Sequence, residues 1–360
     1  MMSKEVTYKD LIAFHPGSYV EDIIDDLNIT QDEFASRLGT TSKTLSKIIN
    51  GEASISTDMA NKLSKLTGVS IKTWLNLQAS YDAKVTEIKN QQNQDEQEIC
   101  NKIDFKYFKN NNFVDPNKKY PLQEKISSLR RLLNIANLSK LSTFNPLVSY
   151  RHTQEFSEKS VVNSNVMLEL AMNKARNATT NKYKKDNLEA ILPIIKDMTL
   201  QDPKIFFPEL NKKLLDCGIV LVALPKLTNA GLNGATKRFK NGSVMLLITD
   251  KDKRADIFWF SLIHELGHIY YEDFISDYDD ERKYREKEER ADKFAMNFFI
   301  PQNLYQEFIE RGSFTKSTIN KFSKDLGIAP GIVVGRLQKD QKIGYHEFND
   351  LRVKYQIALS

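Results

Sequence analysis

The chain has 360 residues, 41% hydrophobic and 28% charged, with a net charge of +5, the balance of an ordinary globular protein of two or three domains. Two cysteines far apart, Cys100 and Cys217, argue against a disulfide framework, and no apolar run approaches the roughly 18 residues of a membrane span. The polar stretch Met1–Asp10 lacks the apolar segment of a signal peptide, so a cytoplasmic chain with no membrane partner is expected, and so mild a charge does not by itself imply nucleic acid.

Residues 17–78 read as a bundle of short helices. Thr30-Gln-Asp-Glu33 is a capping box, and Phe34, Ala35 and Leu38 form the apolar stripe of the helix it opens. Gly39 permits the left-handed turn that a helix-turn-helix needs. Thr41 caps a second helix, Ser42–Asn50, which Gly51 ends. Leu45, Ile48 and Ile49 turn inward on it. Ser42, Lys43, Ser46 and Lys47 turn outward, where a recognition helix meets the major groove. Yet residues 1–82 carry 8 Lys/Arg and 11 Asp/Glu, a net of −3 (8 − 11), with Glu21, Asp22, Asp25 and Asp26 together on the first helix. Phosphate contacts supply most non-specific DNA affinity, so this module is expected to bind DNA weakly alone, or as a dimer. The rival reading is a bundle that contacts protein, such as a toxin.

Residues 81–200 read as a helical connector, Asn/Gln/Lys-heavy from Lys89 to Lys119, with breaks at Asn110–Asn112 and at Asp115-Pro116-Asn117. Ser128–Ala136 is an amphipathic helix placed inside it. From 201 onward the character changes. Gly218–Leu224 and Ser243–Thr249 are short β-branched and apolar runs, the second preceded by the turn Asn241-Gly242, and they read as strands. Ala255–Tyr271 reads as a buried helix.

That helix holds His264-Glu265-Leu266-Gly267-His268. Positions four apart share a helix face, so both imidazoles can address one ion, while Glu265 sits where it can take a proton from a metal-activated water. A catalytic site of this kind uses three protein ligands and leaves one position open. The third is sought on Arg285–Phe299, where Glu288 and Asp292 lie four apart, and Glu289, about 100° round the helix, is the rival. Two histidines and a carboxylate suit Zn2+, and also accept Mn2+ or Fe2+. Three further histidines stand outside the motif: His15 and His152 read as surface or capping residues. His346, with Tyr270 and Tyr271, is a candidate to steady an oxyanion, although packing is the plainer role for the tyrosines.

Phe258–Ile269, Glu288–Ala295, Phe298–Pro301 and Gly327–Gln338 resemble the ImmA/IrrE metallo-endopeptidases, over about 205–345. The Glu288…Asp292 spacing is similar to that of the gluzincin peptidases. The resemblance implies His264, His268 and Glu288 as metal ligands, Glu265 as general base, and Asp292 orienting a ligand histidine. Arg290-Ala291-Asp292 stands where that family often has Glu-Ala-Asn. Gln31…Ala35…Gly39–Gly51 is similar to the lambdoid-repressor helix-turn-helix, and His15–Gly17 with Ile71–Asp82 resembles HigA-type antitoxins. By that resemblance Ser42, Lys43 and Lys47 approach base edges, Gln31 contacts a phosphate, and the module forms a homodimer on operator DNA.

The expected architecture is therefore multidomain: an all-α helix-turn-helix domain at 1–80, a helical connector at 81–200, and an α+β zincin-like domain with a small sheet at 201–360. The expected function is transcriptional regulation coupled to metal-dependent endopeptidase action on a repressor or toxin-like partner. The alternative is a HigA-like antitoxin and autorepressor whose peptidase-like domain is a sensor or scaffold without turnover.

Overall fold

The computed structural model describes residues 4–143, 149–150, 157–274 and 281–357. The chain divides into two compact units, Met1–Glu98 and Ile99–Ser360, and among the described residues no helix is long and apolar enough to cross a membrane.

The first unit opens with a hairpin that sequence reasoning did not anticipate, β1 (Glu5–Tyr8) paired antiparallel with β2 (Leu11–Phe14). Five helices follow: α1 (Gly17–Asp26), α2 (Gln31–Leu38), α3 (Ser42–Ile49), α4 (Thr57–Thr67) and α5 (Ile71–Lys102), whose last turn passes into the second unit. The first four, with the start of α5, close on one core that includes Val20, Phe34, Leu45, Leu63 and Trp74. Gly39 ends α2 at φ 68°, the left-handed conformation anticipated for the tight turn. Only half of the anticipated capping box is described: Thr30 Oγ1 accepts from the Glu33 amide, whereas the Glu33 carboxylate accepts from Arg37 one turn on. His15 is buried, not a surface residue. Its Nδ1 accepts from the Gly17 amide at the start of α1, and its ring meets Tyr81 edge-on. Burial lowers its pKa, against a smaller upward pull from Asp82.

The connector differs from expectation. α5 runs unbroken through position 80, because no Gly or Pro interrupts residues 71–102 and Trp74, Tyr81 and Ile88 keep an inward face. The shift to Asn, Gln and Lys is a change of surface chemistry, not a helix break. Past residue 98 the remaining connector residues are part of the second unit's core. There α6 (Phe105–Asn110), α7 (Leu122–Leu133) and α8 (Glu158–Ala175) build one apolar layer with the sheet, which includes Phe108, Leu129, Val166, Leu170 and Met245.

The sheet has the order β3-β5-β6-β4, with β3 (Ser149–Tyr150), β4 (Ile219–Leu224), β5 (Gly234–Arg238) and β6 (Val244–Thr249). β4 and β6 are the two strands legible in sequence. They pair in parallel, and all six residues of β6 are buried, which explains its unbroken apolar run. β5 runs antiparallel to β6 after a turn closed by Phe239 and Gly242. Met245 and Leu247 face the α6–α8 layer. Val244, Leu246 and Ile248 face a second layer with α9 (Lys185–Asp197), α10 (Pro203–Asp216) and α11 (Ala255–Tyr270). α12 (Glu281–Phe299), α13 (Gln302–Glu310), α14 (Lys316–Leu326) and α15 (Pro330–Lys339) complete this side. Trp259, Leu262 and Leu266 of α11 are fully buried, each worth about 1.5–3 kcal/mol of burial, so the site-bearing helix is held as core.

Candidate metal centre and nucleic-acid interface

The apolar stripe of α11 presses it against the sheet and α12, and the same rotation points His264 and His268 at α12. Both rings are fully buried. One ligand atom from each of His264, His268 and Glu288 falls within 4.8 Å of the others. The two Nε2 atoms lie 3.1 Å apart. Glu288 Oε2 is 3.4 Å from His264 Nε2, and Oε1 is 3.2 Å from His268 Nε2. Glu289, by contrast, lies 3.9 Å from Lys293 and is largely exposed. The two glutamates, adjacent in sequence, are separated by the turn of α12, and it is Glu288 that meets the histidines.

His264 Nδ1 lies 2.8 Å from Asp292 Oδ1. A carboxylate there assigns the proton to Nδ1 and leaves the Nε2 lone pair directed into the cluster. The other Asp292 oxygen is 3.4 Å from Lys339 Nζ, whose ammonium also lies over the Phe260 ring. Asp292 is therefore held from both sides. Burial pushes the Glu288 carboxyl up, but hydrogen bonds with His264 and His268 outweigh it and bring it down to about 2. Two imidazoles and an ionised carboxylate within ligand reach fit a zinc-like divalent ion. Asp292→Asn should weaken zinc affinity by about 10–100-fold, since it removes the charge that orients His264. Competition with a chromogenic chelator measures this, and unchanged affinity would show Asp292 to be incidental.

Glu265 is buried at the sheet side of the same helix. Gly234, the first residue of β5, lies so close that a Cβ there would stand 2.6–2.8 Å from the Glu265 Cγ, Oε1 and Cδ atoms. Only glycine admits this approach. Beside the cluster is a cavity of about 260 Å³ whose lining includes Asn233, Phe260, Ser261, Met296 and Lys339. Phe260 is one turn before His264, and Met296 is one turn after Asp292. Sequence reasoning missed Gly234, Asn233 and Lys339. β5 is short and polar and carries no strand signal of its own, and Lys339 stands 47 residues from Asp292.

The remaining candidates fall elsewhere. Tyr270 stacks beside Phe294 under Lys185, and Tyr271 lies under Arg290. Both are packing residues. His346 is exposed, in the turn 344–347 whose carbonyls accept from Gln338 rather than reaching the histidines. His152 lies outside the described residues. Arg290, the departure from the family pattern, donates to Asp273 at 2.7 Å, and the Asp273 amide in turn donates to the His268 carbonyl. It braces the turn that ends α11.

On the first unit, Lys43 and Lys47 are exposed on α3, Ser42 is half-buried at its start, and Leu45, Ile48 and Ile49 are in the core. Gln31 Nε2 donates to the Ser42 carbonyl at 3.3 Å, tying the starts of α2 and α3 together. Asp22, Asp25 and Asp26 are exposed on α1.

A helix-turn-helix family matches residues 20–74, and the IrrE N-terminal-like domain of the M78 peptidases matches residues 218–338. An uncharacterized HTH-type transcriptional regulator of Escherichia coli, YddM, is 36% identical over 66 residues, 18% of this chain and 70% of that protein. Virulence-associated protein A' of Dichelobacter nodosus is 46% identical over 69 residues, 19% of this chain and 60% of that protein. Two solved structures are similar over part of the chain. A putative antidote protein of a plasmid maintenance system from Nostoc punctiforme shares 36% identity, with 23% of this chain and 90% of that one covered and a TM-score of 0.22. An addiction module antidote protein of a HigA family from Coxiella burnetii shares 32%, with 20% and 80% covered and a TM-score of 0.20. Together with the α2–turn–α3 geometry and the buried His264/His268 helix, these matches place the chain among the XRE-type helix-turn-helix regulators, with an IrrE N-terminal-like domain of the M78 peptidase family as its C-terminal part.

Proposed function

We propose that this regulator couples operator binding to metal-dependent endopeptidase action on a partner protein, a repressor or a toxin-like chain. The observation that carries the reading is the convergence of His264, His268 and Glu288 within 4.8 Å, beside a buried Glu265. In this reading the three residues hold a zinc-like ion, with manganese or iron as chemically acceptable occupants. When bound, the ion supplies Lewis acidity toward a water and a peptide carbonyl. Glu265 takes the proton from the attacking water and delivers it to the leaving amine. Asp292 and Lys339 keep His264 in the tautomer that binds. The cavity beside the cluster accepts a side chain flanking the scissile bond. Cleavage of the neighbouring repressor or toxin-like protein, stopped by a chelator and restored by zinc, tests the reading. Cleavage that persists in chelator would remove the metal from the mechanism.

Operator reading falls to α3 in the same proposal, with Ser42, Lys43 and Lys47 toward base edges, Gln31 toward a phosphate, and two copies on a two-fold operator. Lys43→Ala and Lys47→Ala should each lose about 1–3 kcal/mol of affinity for the chain's own promoter if they meet base edges. Titrations in which both bind like wild type would show that α3 is not the reading helix. The exposed acids of α1 favour a second reading, an antitoxin and autorepressor whose first unit also contacts a basic partner and whose metal centre acts without turnover.

A further inference from the structure

The outer edge of β5 is the sheet edge nearest the candidate catalytic group, because Gly234 abuts the Glu265 carboxylate. An exposed strand edge beside such a group is a template for an extended polypeptide, which adds its own backbone as one more strand. In this chain that edge is already paired. β3 lies antiparallel on it, with Ser149 opposite Thr236 and Tyr150 opposite Ala235. The next β5 residue in line is Gly234 itself. The pairing thus stops one residue short of the position facing Glu265.

β3 is only two residues long and pairs with β5 alone, whereas β5 pairs with β6 along its whole length. Two residues of ladder give few hydrogen bonds to offset the cost of ordering them. Such a strand can be exchanged for a longer one without disturbing the rest of the sheet.

We propose that Ser149–Tyr150 is a built-in competitor for the substrate edge of the metal centre: an extended segment of a partner protein binds by displacing it and pairing antiparallel with β5. This rests on the endopeptidase reading for the identity of the site, but not for the exchange of strands. The substrate class is then an unfolded or locally unfolded segment, since a folded surface cannot supply a free strand. The resting enzyme is held back by its own backbone.

The test uses the full chain, zinc-loaded and carrying Glu265→Gln, so that binding is read without turnover. Fluorescein-labelled casein serves as the extended probe. Replacing Ser149 and Tyr150 by proline removes their amide donors, and the milder Ser149→Gly/Tyr150→Gly pair guards against a folding defect. Both should bind casein roughly tenfold more tightly, the worth of one to two net hydrogen bonds. Without casein, the amides of residues 234–236 should exchange hydrogen faster than in the parent, and casein should restore their protection. Unchanged casein affinity and unchanged exchange at β5 in both variants overturn the proposal, whether or not the wild type proves to be a peptidase. Tighter binding with no cleavage by any Glu265-containing form would keep the competitor and sink the endopeptidase reading. Cleavage by wild type at a rate and affinity that neither variant alters would do the reverse.

Discussion

Replacing Glu265 by Gln should leave zinc content near one ion per chain and slow peptide cleavage by about 10²–10⁴-fold or more. Glutamine keeps the size and one hydrogen-bonding oxygen of the side chain but cannot take a proton. Glu265 is buried, and no larger residue than glycine fits at position 234 beside it, so the near-isosteric change avoids both a cavity and a clash. The metal-facing atoms belong to His264, His268 and Glu288, none of which is touched. Promoter binding resides in the first unit and should not change. A purely structural glutamate predicts a different pattern: lower stability and no turnover to lose. The measurement is the single-turnover rate on the partner protein alongside thermal unfolding. If Gln at 265 cleaves as fast as Glu, the proton-transfer role assigned here is wrong.

What could be seen in the sequence was what helix periodicity controls. The i, i+4 spacing of His264 and His268 puts both rings on one face whatever the rest of the fold does, and Glu288 and Asp292 repeat that logic on the next helix. The choice between Glu288 and Glu289 was not decidable from spacing, because it depends on which face of α12 meets α11. The apolar runs of β4 and β6 were legible because both faces of those strands are covered. β5 was not: Gly234-Ala-Thr-Lys-Arg238 is short and ends in two charges, and only its hairpin with β6 makes it a strand. The hairpin β1–β2 was missed for a similar reason, since its buried contacts lie on α5, at Tyr81 and Ile88, some 70 residues on. The connector was misread because composition was taken for architecture. The run Val161-Val-Asn-Ser-Asn-Val-Met-Leu168 contains polar residues that are themselves buried, and Asn165 spends its amide on the carbonyls of Leu141 and Thr143. A polar side chain satisfied inside a core cannot be told from a solvated one by sequence.

Changing His264 to Ala should reduce bound zinc from about one per chain to near zero, and Glu288→Gln should weaken it strongly while Glu289→Gln leaves it intact. His264 sits at the centre of the cluster, with Glu288 and the His268 ring on one side of it and Asp292 on the other. Its removal deletes a ligand and also leaves the Asp292 carboxylate with Lys339 as its remaining described partner there. Glu289 points to Lys293 and solvent, so it serves as the control for charge loss on the same helix. A ligand that binds only the folded state stabilises it by about 2.7 kcal/mol at a hundred times its Kd. For a unit of this size that corresponds to roughly 5–10 °C in Tm. Added zinc should therefore raise the melting transition of the second unit in wild type and in Glu289→Gln, and leave His264→Ala unmoved. Elemental analysis after gel filtration reads the first effect and calorimetry the second. The two readouts separate a lost ligand from a misfolded variant, because a misfolded chain would show no native transition at all. Equal zinc content in wild type and His264→Ala would place the ion somewhere other than this cluster.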